Sequence, residues 1–145
     1  MPTSEPELRD TLRIVGVVAL GGMLGSGARY GIGEAWPTGA DGFPWSTFVI
    51  NLSGCFALGV LMAYVVGREG LHPLTRPFLG TGLIGGYTTF STYAVEANDL
   101  ILARHPALGL GYLALSILLG LAAVLVGRNV AEAVGFAAPN EGEPT

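Results

Sequence analysis

The sequence predicts an all-α integral membrane protein with four transmembrane helices, the third broken at mid-membrane. Composition is the first observation: of 145 residues, 50% are hydrophobic and 12% charged, with mean hydropathy +0.54. Soluble domains carry about 25% charged residues, so this balance suits lipid rather than water. The second observation is a set of four apolar runs, each reaching the ~20 residues that a helix needs to cross a bilayer. The third is residues 82–93, Gly82 through Tyr93, which set glycines, four Ser/Thr hydroxyls and three aromatics inside one of those runs. Paired glycines weaken a helix, and Ser/Thr side chains offer its backbone competing hydrogen bonds. A backbone opened at mid-membrane is tolerated only where the freed groups are buried in protein or line a polar path. Broken helices hold ions in this way, with carbonyls facing cations and amides facing anions.

Residues 1–11 are polar, carry Glu5, Glu7, Arg9 and Asp10, and read as a mobile tail. A membrane domain follows over 12–127 and a second polar tail over 128–145. The first span covers about 12–33, past signal-peptide length and without a clear cleavage site, so it reads as retained. The second, about 45–67, and the fourth, about 107–127, contain no charge. The third, about 74–102, opens with Arg76 and carries Glu96 and Asp99 near its end. Trp36 and Trp45 flank the first loop as interfacial anchors. His72 and His105 each sit beside a proline and read as loop residues. Four spans put both termini on one side, with Arg9, Arg13, Arg68, Arg76 and Arg128, against Arg104 and Arg29 on the other; this bias favours cytoplasmic termini.

Small-xxx-small spacings at Gly21/Gly25, Gly27/Gly31, Gly82/Gly86 and Ser116/Gly120 allow close backbone approach and point to a compact bundle or an oligomer. A thin four-span bundle has little interior, so a polar pathway forms more easily between subunits. The chain has no Lys and no basic patch, which argues against nucleic acid. Cys55 is the sole cysteine, so neither an intrachain disulfide nor a zinc cluster is available, and it reads as a small packing residue. Arg29 shares a face with Gly22 and Gly25, where it either caps carbonyls or meets a permeating ion. Asn51, with Thr47 and Gly54 on its face, either bridges helices or donates its amide to an anion. Gly109, Tyr112, Ser116 and Gly120 share a face of the fourth span, either for packing or as hydroxyl donors to a partly dehydrated ion. Glu96 and Asp99 read as boundary residues, solvated or capping, with a pore-mouth role as the alternative.

The chain resembles the Fluc (CrcB) family of fluoride channels across all four spans, roughly residues 14–127. The resemblance rests on Gly21-Gly22-x-x-Gly25-x-x-x-Arg29-Tyr30, on Thr47-Phe48-x-x-Asn51-x-x-Gly54-x-Phe56, and on Tyr112-x-x-x-Ser116. Its most specific carrier is Gly85-Gly86-x-Thr88-Thr89-Phe90-Ser91-Thr92-Tyr93-x-x-Glu96. The resemblance implies a passive channel exporting fluoride, not an enzyme, in a prokaryotic cell membrane. It further implies an antiparallel dimer with two pores and a structural sodium ion at its centre, held by backbone carbonyls that map to Gly85 and Thr88. The partner in that dimer is a second copy or, given the arginine bias, an oppositely inserted homologue. Phe90 and Tyr93 match the family's phenylalanine box, Tyr93 standing where many members carry Phe. Asn51 matches the pore asparagine, Tyr112 and Ser116 match the polar track, and Thr89 is a neighbouring hydroxyl. Such donors replace the water around a small, tightly hydrated anion without a fixed positive charge. The alternatives are a four-span exporter of cationic drugs, which wants an acidic residue deep in span one that is absent here, and a non-transporting membrane scaffold.

Overall fold

The structure, a computed structural model, describes residues 5–39, 42–65, 68 and 70–136. These form helices joined by short connections, with no strand among the described residues. Helix α1 spans Glu5–Ala35, α2 Trp45–Val65, and α5 Pro106–Ala133. The third span comes in pieces: a π-helical segment Pro77–Ile84, one α turn Gly85–Tyr87 (α3), and α4, Phe90–Leu102. Three helices (α1, α2 and α5) are each long and apolar enough to cross a membrane, and the interrupted segment supplies the remaining crossing. The protein is therefore a multi-pass membrane protein.

Two boundaries differ from the sequence expectation. Helix α1 begins at Glu5 rather than Leu12, so the described part of the polar tail is helical. Glu5 and Glu7 stand in its first turn, where the helix dipole favours carboxylates, and Asp10 pairs with Arg13 at 3.5 Å. Thirty-one residues at 1.5 Å each span about 46 Å, more than a bilayer core, which leaves these polar turns outside it. Helix α5 likewise runs past Gly127 to Ala133, its extension carrying an Arg128–Glu132 pair at 2.8 Å. Residues 1–4 and 137–145 of the expected tails lie outside the described residues, as does Gly67 at the expected end of span two.

Helix packing follows the small residues. Helix α1 lies along the π segment and α3, and α2 lies along α5, which also carries α4. A Cβ on Gly25 would collide with the Leu83 carbonyl, and one on Gly82 would come within 2.9 Å of the Val18 carbonyl. These positions must be glycine because backbone meets backbone there. The Gly27/Gly31 pair, by contrast, faces open space within this chain. The tightest contact between α2 and α5 uses Gly59, against Val124, and Gly127, against Phe56. Their small-xxx-small partners, Cys55 and Ala123, are the sequence signal for that contact. Cys55 fits its expected packing role, since its sulfur would lie 3.4 Å from a Cβ on Gly120. His72 and His105 are both exposed in turns.

Candidate functional site: a broken helix between two cavities

The helix break falls at Thr88 and Thr89, not at the Gly85–Gly86 pair, which remains helical. Gly86 instead lets α3 press against Gly22 of α1. Thr88 (φ −78°, ψ 160°) and Thr89 (φ −145°, ψ 125°) are both extended. The threonines drive this locally. Thr89 caps α4 by accepting a hydrogen bond from the Thr92 amide at 3.2 Å, and its hydroxyl donates to the Thr92 hydroxyl at 3.0 Å. Thr88 folds its hydroxyl back onto the Ile84 carbonyl at 3.1 Å.

Asn51 of α2 holds the opened backbone. Its Oδ1 accepts from the Thr89 amide at 2.8 Å while its Nδ2 donates to the Thr89 carbonyl at 2.9 Å. The side chain thus pairs with Thr89 as a second peptide would, taking up the amide left without a helical partner and adding a donor to the carbonyl of the α4 N-cap. This is the bridging role open to Asn51 from sequence, and it leaves one Nδ2 hydrogen to offer. On the other side of the break, Arg29 donates its Nε–H to the Gly86 carbonyl at 3.2 Å. That is the capping arrangement open to Arg29, and its remaining N–H groups belong to a residue that lines a cavity.

Two cavities border Thr89. A polar vestibule of about 510 Å³ is lined by Arg29, Tyr30, Thr47, Thr92 and Glu96 among others. A groove of about 290 Å³ is lined by Asn51, Thr88, Phe90, Tyr93 and Ser116 among others. Thr89 lines both.

The remaining sequence candidates divide into two groups. Ser116 lines the groove, its hydroxyl oxygen buried and without a hydrogen-bond partner among the described residues. Phe90 is 79% exposed while Tyr93 is 6% exposed, so the two aromatics are not equivalent walls, although their centroids are 5.8 Å apart. The Tyr93 hydroxyl donates to the Leu113 carbonyl at 2.8 Å, so its hydrogen is committed there. Tyr112 is fully buried and donates its hydroxyl to Glu96 Oε2 at 3.0 Å, so that hydroxyl is already committed. Glu96 is half-buried and lines the vestibule, and its other oxygen accepts from Thr47 Oγ1 at 2.8 Å. Thr47 was visible in sequence as a face-mate of Asn51 and the opening residue of its motif; its partner lies 49 residues away and carried no local signal.

A family profile described as CrcB-like protein, Camphor Resistance (CrcB), matches residues 16–128, most of the chain and all of its helix break. The chain belongs to the CrcB family. Among its relatives, the fluoride-specific ion channel FluC 2 of Nocardia farcinica is 48% identical over 130 residues, 90% of this chain and 91% of that protein. FluC 1 of Streptomyces coelicolor is 48% identical over 116 residues, 80% of this chain and 75% of the relative. FluC 2 of Streptomyces avermitilis is 52% identical over 101 residues, 70% of this chain and 64% of the relative, just under two thirds of its length.

The structural sodium ion that the resemblance implies would need oxygen ligands. Among the described residues no cluster of His, Cys, Asp or Glu can hold a metal. Backbone oxygens can: the Thr89 amide, which would cap the Gly85 carbonyl in a continuous helix, bonds Asn51 instead. Gly85 is also exposed, so its freed carbonyl fits a hard cation held by oxygen.

Proposed function

We propose that this chain is the subunit of a fluoride-selective channel that lets fluoride leave the cell down its gradient. The observation that carries the reading is the break at Thr88–Thr89, splinted by Asn51, with a polar vestibule and a groove both lined by Thr89. Relatives matching up to 90% of the chain bear the name of fluoride-specific ion channels, which supports the same ion.

The route begins in the vestibule, where Arg29 offers N–H donors to an anion while the carboxylates of Glu34 and Glu96 in the same lining keep the site from being a deep charged trap. Thr89 hands it on to the groove. There the free Nδ2 hydrogen of Asn51, the unpartnered Ser116 hydroxyl and the positive ring edge of Phe90 replace lost water. Tyr93 supplies a ring edge only, and Tyr112 acts by holding Glu96 rather than by meeting the ion. No proton is transferred and no bond is made, so the work is desolvation and release. A sodium ion, where bound, would sit on the Gly85 and Thr88 carbonyls and tie together the two copies of the break. The functional unit is an antiparallel dimer of this chain with two such routes.

The test is expression in a bacterium stripped of its own fluoride exporters. Growth restored in millimolar fluoride, by the wild-type chain but not by Phe90→Ile, supports the reading. Continued sensitivity at full membrane expression would count against it.

A further inference from the structure

We infer that Phe43, in the loop between α1 and α2, is a positioning residue that sets the Glu96 carboxylate through the ring of Tyr112. The inference rests on the channel reading for its consequence, though not for its geometry. Glu96 lines the vestibule and also a smaller pocket under the loop, walled by Gly42 and Pro44. Its carboxylate is fixed by two hydroxyls from different helices, Thr47 of α2 on Oε1 and Tyr112 of α5 on Oε2. Thr47 stands in the first turn of α2 and is itself buried, so its aim is set by backbone. Tyr112 reaches Glu96 at the end of a long side chain and needs its ring held.

Two aromatics hold it, both edge-on. Tyr93 lies 5.1 Å away at 62°, and Phe43 lies 5.2 Å away at 79°. Tyr93 is pinned by its bond to the Leu113 carbonyl. Phe43 is pinned in turn by Trp45 at 4.6 Å and Phe48 at 5.3 Å, beside the fully buried Pro44. The loop therefore reaches into the bundle and closes one side of the Tyr112 pocket. Removing the Phe43 ring lets Tyr112 move off Glu96. One carboxylate oxygen is then released into the vestibule, where its charge opposes an entering anion.

The experiment is a double-mutant cycle in the full-length protein with two readouts. In liposomes, Phe43→Ala lowers fluoride efflux by about fivefold, in keeping with the loss of one edge-on aromatic pair. Tyr112→Phe lowers it similarly, the double variant is no worse than the poorer single, and Phe43→Tyr restores the wild-type rate. In detergent, the glutamate carboxyl carbon resonance lost or moved by Glu96→Gln shifts equally in Phe43→Ala and Tyr112→Phe, and not in Phe43→Tyr. Multiplying effects of Phe43→Ala and Tyr112→Phe, or a Glu96 resonance untouched by Phe43→Ala, would overturn the inference. If Phe43→Ala does not fold, Phe43→Leu enters the same cycle. A wild-type protein passing no fluoride would sink the channel reading, while the resonance still decides the role of Phe43.

Discussion

Asn51 is the residue on which the site turns. An amide is the one side chain that copies both halves of a peptide group, and the Thr89 backbone uses both halves. Asn51→Asp keeps the size but replaces the donor with an oxygen facing the Thr89 carbonyl and adds charge to the groove. Fluoride efflux should fall by about tenfold or more, equivalent to ~1.4 kcal/mol in the barrier. Size-exclusion behaviour in detergent should stay unchanged, and full flux from this variant would place the route elsewhere. Phe90→Ile should have a comparable effect, because it deletes the ring edge while keeping the bulk. Asn51 was legible in sequence as a polar residue on a small face. Its partner was not, because a contact 38 residues apart leaves no local pattern. The same limit hid the Thr47–Glu96–Tyr112 set: the fourth-span face left packing and ion contact both open for Tyr112, and only the fold shows its hydroxyl donating to a carboxylate.

Among the elements, glycines decide which helices touch. Gly25→Val would drive side-chain carbons into the Leu83 carbonyl and the Tyr87 amide, and overpacking of this kind costs about 1–3 kcal/mol. Its unfolding temperature in detergent should drop. Gly27→Ala meets nothing within this chain and should leave that temperature level or raise it, since alanine suits a helix interior by about 0.5–1 kcal/mol. Equal losses in both would mean that α1 packs differently. Four apolar crossings and an interruption in the third were legible from run length and from the Gly/Ser/Thr cluster. The exact break was not. Glycine flexibility and threonine capping both mark the stretch, and only packing against Gly22 shows that Gly86 serves close approach while Thr88 and Thr89 open the chain.

For the whole molecule, the pattern of exposure asks for a partner. Phe90 is 79% exposed, and Gly85 and Ser91 are exposed beside the break, at a depth where lipid cannot satisfy backbone groups. In the proposed dimer, a second copy inserted antiparallel, with sodium on the freed carbonyls, would cover them. Exchanging sodium for a bulky organic cation should then weaken the dimer or its flux; indifference of both to sodium would remove the ion from the assembly. Reporter fusions at the C-terminus should register on both sides of the membrane, and a single location would point to an oppositely inserted homologue as partner. The most direct measurement is efflux from liposomes holding only the purified protein, followed with fluoride and chloride electrodes in parallel. Rapid fluoride release with chloride retained is the predicted result. Release of both ions, or of neither at verified incorporation, would contradict a fluoride-selective route through the break at Thr88–Thr89.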